Sequence, residues 1–292
     1  MSTNRLSSIV SLPTFVLLVL SVTIVLPYGV AEAITNTQSA DIERDSGQYY
    51  SVSDANQTGL DLVGDNTIEA WVKPEVIYGD TFIINKADPA GGDVSYYLYI
   101  NHLGQLEGRY SDNGSINTGH YIRFVSTYTF PEGEWHHIAV SFDISIGDVK
   151  AYIDGSEITL DLSGTMGGSI YNSAQEVLVG ARKNGTIQSY YDGLIDEVRV
   201  WNDVRTQTEV QDNRFATLSG SESGLVAYWQ FNSTSTDATS NGNDLVLHNS
   251  PLYSEEPSHQ LICVYDGDTY GSFSFASIPL LFSVSCEVKG LF

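Results

Sequence analysis

From about residue 40 to residue 250 the chain alternates between short runs rich in Val, Ile, Tyr, Phe and Thr and clusters of Gly, Asp and Asn, with a break roughly every 8 to 12 residues. That spacing predicts an all-β protein. Twelve runs read as strands: QYYSVS, NTIEAWVKP, TFIINKA, YYLYINH, QLEGRYS, YIRFVSTY, EWHHIAVSFD, DVKAYIDG, EVLVGAR, GLIDEVRVW, GLVAYWQF and DLVLHN. Antiparallel strands in this number make two stacked sheets. Asp154 and Gly155 separate two alternating runs and are the pair a two-residue type I′ turn requires, since both central residues take positive φ. Val149, Ala151 and Ile153 then share one face. The segment TQTEVQDNRFAT is polar apart from Val210 and Phe215, which predicts a short surface helix held by those two side chains.

GEWHHIAVSF, residues 133–142, sets a tryptophan and two histidines at the head of an apolar run. On a strand, Trp135, His137, Ala139 and Ser141 face one way and His136, Ile138, Val140 and Phe142 the other. The histidines therefore point to opposite faces and cannot chelate one metal. One is expected as a satisfied core group, the other at the surface or in a cleft.

The first 33 residues follow a different logic. Arg5 is their only basic side chain, a long apolar run follows, and AEA closes at Ala33, the pattern of a secretory signal peptide at 1–33. An uncleaved N-terminal membrane anchor is the other reading of that run; in both, the rest of the chain is secreted, extracellular or on the cell surface. With 13 Lys and Arg against 36 Asp and Glu, the formal net charge of −23 argues against a nucleic-acid binder. It repels phosphates and anionic membranes, and it supplies carboxylates either for solubility or for divalent cations. The two cysteines, Cys263 and Cys286, could close one disulfide in an oxidising compartment, and neither stands at metal-ligand spacing. After Leu252, YSEEPSHQ reads as a linker, and residues 252–292 form a tail that is either a hairpin clipped by the cysteines or weakly ordered.

Candidate chemistry is that of recognition. There is no G-x-S-x-G elbow, no H-E-x-x-H, no Gly-rich phosphate loop and no cysteine placed as a nucleophile, so no catalytic residue is assigned. A glycan site uses aromatic faces and a few fixed polar groups. Tyrosine is abundant, with 18 in the chain, and it clusters beside Asp, Asn and Arg; Tyr97, Tyr110, Asp112, Asn113, Tyr121 and Arg123 are the candidate ligand-binding residues.

NTIEAWVKP, GEWHHIAVSFD, VKAYIDGSEI, VLVGAR and YYDGLIDEVRVWNDVRTQTEV occur in the order and spacing of the laminin G-like, concanavalin A-like jelly-roll domains, and residues 41–218 resemble that family. The resemblance implies a two-sheet antiparallel jelly-roll sandwich. Residues 219–251 resemble the block that normally opens such a domain, displaced to its end; they either complete the same sandwich or begin a truncated second copy. Relatives often hold a structural calcium where the first strand meets the one carrying GLIDEVRV, which implies Asp196, with Asp45 and the carbonyl of Gly47 opposite. Glucanases of this fold carry E-x-D-x-x-E. The nearest match here, ERDSGQ at residues 43–48, lacks the last acid and is read as non-catalytic. The expected function is an exported recognition or adhesion module for glycans or glycosylated surface proteins. The alternatives are a structural cell-envelope protein making protein contacts and, third, a polysaccharide-active enzyme.

Overall fold

The computed structural model describes residues 36–256 and 258, together with the backbone of five short strands outside them. It divides into two compact units, Met1–Ile34 and Thr35–Phe292. The first contains a two-stranded ladder, Ile24–Leu26 with Gly29–Ala31. In the second, Cys263–Val264, Ser272–Phe275 and Val284–Glu287 form a three-stranded ladder of their own. The signal peptide expected at 1–33 and the disulfide expected between Cys263 and Cys286 lie outside the residues whose side chains are described.

Two large antiparallel sheets make up most of the rest. The first runs, in spatial order, Ser156–Ile158, Asp148–Ile153, His136–Asp143, Asn66–Pro74, Gly193–Trp201, Ser39–Ile42 and Leu252–Ser254. Leu225–Trp229 also pairs with the C-terminal half of Gly193–Trp201, where Ser39–Ile42 no longer reaches. The second sheet runs Leu160–Thr165, Tyr121–Thr129, Gln105–Gly114, Asp93–Ile100, Thr81–Asp88, Val177–Val179, Tyr49–Val52 and Val246–His248. This is the expected jelly-roll sandwich. One apolar cluster fills the space between the sheets, drawn from alternate positions on both: Ile68, Ala70 and Val72 from one side, Tyr96, Leu98 and Ile100 from the other. Alternation at period two decides which residues these are, because a strand shows successive side chains to opposite faces.

Residues 219–254 contribute to both sheets. Leu225–Trp229 extends the first sheet, with Trp229 and Phe231 fully buried in the common core, and Val246–His248 pairs with Tyr49–Val52 at the edge of the second. Leu252–Ser254, expected to begin a linker, pairs with Ser39–Ile42 instead, so the last strand of the two-sheet body lies beside its first. The turn between Ser39–Ile42 and Tyr49–Val52 is a single 3-10 turn, Arg44–Ser46, so ERDSGQ is a connection and not part of the first strand.

The local signals hold in detail. Asp154 and Gly155 have φ of 52° and 79°, with Ile153 opposite Ser156, the geometry of a two-residue hairpin. Gln207–Asn213 is the helix; Thr206 and Glu209 cap it reciprocally, and Val210 is buried against Ala139 and Tyr152. His136 and His137 point to opposite faces, but both are buried, which differs from the expectation of one surface imidazole. Tyr128 and Phe130 pack edge-on against His136, whose Nδ1 lies 2.8 Å from Asp154, while Trp71 covers His137, 3.2 Å from Glu69.

Candidate functional site

Along Asp93–Ile100, the side chains of Tyr96, Leu98 and Ile100 enter the core, so Tyr97 and Tyr99 stand on the outer face of the second sheet. Strand register then lines up their neighbours. Tyr97 is opposite Arg109 and Arg109 opposite Arg123; Tyr99 is flanked by Phe82 on one side and Glu107 on the other. The rings make a compact floor: Phe82 and Tyr99 are stacked at 4.6 Å between centroids, and Tyr97 lies 5.7 Å from Phe82 and 6.0 Å from Tyr99.

Guanidinium groups cover this floor. Arg109 lies 4.9 Å over the ring of Tyr121 and 5.8 Å from that of Tyr97. Arg182 lies 5.3 Å over Phe82 and comes from a separate hairpin, Arg182–Asn184 with Thr186–Gln188, which is tied to the sheet by the Gly185 N–H donating to Asp88 at 2.7 Å. Arg123 is committed elsewhere, donating two bonds to Glu107 at 2.6 and 2.8 Å. Burial opposes ionisation of Glu107, but hydrogen bonds from Arg123, Tyr99 and Asn101 and the charge of Arg123 outweigh it and hold its carboxyl below the usual range. Burial likewise raises the phenol of Tyr97, against the pull of Arg109 and Arg182.

An electron-rich ring face attracts a cation and leaves the N–H edge of a flat guanidinium pointing away from it. The floor thus fixes the arginines rather than offering its own rings to a ligand, since Phe82, Tyr97 and Tyr99 are all buried. What the face presents is Arg109, Arg182 and the half-buried ring of Tyr121, beside the Arg123–Glu107 pair.

Of the residues expected to bind a ligand, Tyr97, Tyr121 and Arg123 come together on this face. Tyr110 does not: it points into the core, stacks on Phe142 at 4.5 Å and donates to Asn66 at 3.2 Å. Asp112 and Asn113 lie at the end of the same strand, where Asp112 holds the imidazole of His120 at 2.9 Å and also accepts from the Gly167 N–H, while Asn113 accepts from Ser115 at 2.9 Å. Arg109, Arg182, Glu107, Phe82 and Tyr99 were not anticipated.

The three residues expected to hold calcium are not assembled into a site. Asp196 is fully buried; one oxygen accepts from Asn36 at 2.7 Å and from the Ser258 N–H at 3.0 Å, the other from the Glu197 N–H at 2.8 Å. Asp45 points to solvent, with a side chain 96% exposed, and the Gly47 carbonyl accepts from Asn249 at 2.6 Å. A hard cation needs several oxygens converging on one point, and these do not fit that demand. Among the described residues no group of three or more His, Cys, Asp or Glu is placed to hold a metal.

Acidic residues also meet inside the first sheet. Glu69 lies beside His137. Glu197 pairs with Arg199 at 2.7 Å and accepts from the Tyr228 hydroxyl, and Arg199 donates further to the carbonyls of Asn213 and Ala216 at 2.8 and 2.6 Å. All five side chains are enclosed. A β-bulge between Asp196 and Arg199, with Glu197 at φ 49°, turns the strand here so that successive charged residues are all buried. A carboxylate pair acting on a polysaccharide must flank the glycosidic bond, which these sealed groups cannot reach.

The sequence profile of the concanavalin A-like lectin/glucanases superfamily matches residues 44–211. No curated protein sequence matches the chain. Among solved structures, a presumed carbohydrate-binding protein from Bacteroides ovatus is similar with a TM-score of 0.57 and 17% identity, over 76% of this chain; the chain spans 63% of that protein, less than two thirds. A heptameric SAP-like pentraxin from Limulus polyphemus gives a TM-score of 0.46 at 16% identity, over 76% of this chain and 97% of that one. The CBM40 of the Ruminococcus gnavus IT-sialidase gives 0.47 at 16% identity, over 60% and 95%.

Proposed function

Because this chain belongs to the concanavalin A-like lectin/glucanase superfamily, we propose that it is an exported, non-catalytic module that recognises glycans, free or on glycosylated surface proteins, through the outer face of its second sheet. The observation that carries this reading is the array of Arg109, Arg182, Tyr121 and the Arg123–Glu107 pair on that one face, fixed by an aromatic floor. Sugars are bound by stacking on a ring and by a few immobile donors and acceptors that read hydroxyls. Tyr121 supplies the first, the arginines and Glu107 the second. Enzymatic turnover finds no support in the sealed carboxylates of the first sheet. The apolar run before Ala33 supports export.

The test is binding of the full chain to a broad panel of immobilised glycans, alongside Tyr121→Ala. Retention of one glycan class, weakened in the variant while its melting midpoint stays put, is the expected result. No retention of any class would remove the reading. One observation favours the protein-contact alternative: Val246 and Leu252, on the last strands of the two sheets, are 60% and 67% exposed. Concentration-dependent self-association without sugar, lost in Val246→Lys, would support it.

A further inference from the structure

We infer that the glycan bound on this face is an acidic sugar whose carboxylate is held by the guanidinium groups of Arg109 and Arg182; this rests on the glycan-binding reading above.

Cations in this chain normally have acid partners, as expected where acids outnumber bases 36 to 13. Arg44 pairs with Asp192, Lys73 with Glu256, Lys86 with Asp54 and Asp61, Arg123 with Glu107, Arg199 with Glu197, and Arg205 with Glu209. Arg109 and Arg182 have neither an ion pair nor a hydrogen bond among the described residues. Both are only partly exposed, and the Nε of each is enclosed without a partner.

Lys183 likewise has neither among the described residues, but the two arginines occur together on one face. Arg109 lies against Tyr97 and Arg182 against Phe82, and those rings are 5.7 Å apart, so the guanidiniums flank one patch of the floor. Glu107, the buried acid of the face, is already occupied by Arg123; the other acid acting there is Asp80, felt by the hydroxyl of Tyr99. Positive charge is therefore left over on one small face of a strongly negative protein. Arginines held only by ring faces give up hydration at their N–H edges with no internal hydrogen bond in return, whereas a carboxylate ligand returns charge-assisted, bidentate hydrogen bonds to a planar fork. The surrounding negative charge repels polyanions in general, which favours a single acidic residue within an otherwise neutral glycan.

The experiment is calorimetric titration of the full chain with matched pairs: a xylo-oligosaccharide carrying one glucuronic acid and its methyl ester, and sialyllactose and lactose, with sulfated lactose as a third arm. The expected result is that the carboxylated member of a pair binds about tenfold or more tightly than its neutral partner, the size of one charge-assisted hydrogen bond. The gap should narrow as salt is raised toward about 1 M, where screening shortens to about 3 Å. Arg109→Gln and Arg182→Gln should each close the gap with the melting midpoint retained, and Arg109→Lys, which keeps the charge but not the fork, should fall between. Lys150→Gln, on the other sheet, should leave it unchanged. Equal affinity for acidic and neutral partners, a gap that survives both arginine variants, or binding confined to the sulfated probe overturns the inference and leaves glycan recognition standing. Binding of no probe, acidic or neutral, overturns both.

Discussion

Replacing Arg199 with methionine should cost the fold far more than a surface arginine would. The guanidinium is fully buried, donates to Glu197 and to the carbonyls of Asn213 and Ala216, and lies 5.2 Å over the ring of Tyr228. Methionine fills much of the same volume but leaves Glu197 as a buried charge with Tyr228 as its remaining donor. Breaking one side of a buried ion pair typically costs about 3–5 kcal/mol. In a body of this size about 1 kcal/mol moves the midpoint by roughly 2–4 °C, so the melting temperature should fall by about 6–20 °C. The assay is urea and thermal unfolding, followed by circular dichroism, of wild type, Arg199→Met and the double variant Glu197→Gln/Arg199→Met. The double variant should recover most of the loss, because it removes the orphaned charge. Burial already pushes the Glu197 carboxyl up while Arg199 and Tyr228 pull it down. Without Arg199 it rises further, so the folded variant takes up a proton on mild acidification and its deficit shrinks as pH falls toward about 5. A deficit below about 1 kcal/mol, the range of an exposed pair, or one that does not shrink in acid, would refute this account.

Three other outcomes follow from the same packing. Burial, then the neighbouring Glu197, pushes Asp196 up to about 8 from 3.8, so the stability it contributes is full below about pH 4 and is lost as pH rises toward 8; urea midpoints of wild type should fall relative to Asp196→Asn across that range, and parallel profiles would sink the assignment. Wild-type melting should coincide in calcium and in chelator, whereas a cation on Asp196 would raise the midpoint with calcium and lose that shift in the variant. A methyl group on Gly108 would sit 2.3 Å from the ring of Phe124 and 2.7 Å from Leu98, so Gly108→Ala should destabilise by about 1–3 kcal/mol in denaturant titration, and a neutral result would mean that the ring moves aside easily.

The central strands were legible because they are long and alternate cleanly: NTIEAWVKP and GLIDEVRVW are strands over those same residues. Strands missed in sequence lie mostly at the edges. Leu160–Thr165 is largely exposed and Leu252–Ser254 is short and half-polar, so neither carries an inward apolar face to betray it. The site was half visible. Tyr97, Tyr121 and Arg123 fall on the proposed face by alternation, whereas Tyr110 points into the core and its neighbour Arg109 takes the outer position, because a shift of one residue reverses the face. Gly108 held the missing signal: it faces inward into space that Phe124 fills, which turns Glu107 and Arg109 outward. Arg182 reaches the face from a three-residue strand with no periodicity. Asp196 follows alternation onto the outer face with Leu194, but Asn36 and Ser258, distant in sequence, close over it, and no pattern in IDEV announces that.

The pairing of Ser39–Ile42 with Leu252–Ser254 has a consequence for how the chain is made. Asp41 leaves the ribosome roughly two hundred residues ahead of Leu252, the residue it pairs with. Until that late segment emerges, the edge of the first sheet is open, and Trp229 and Phe231 are missing from the core. Contacts so distant in sequence are slow to form because the loop must close before they repay it. The sandwich is therefore completed only late in translation, when its last strand closes against its first.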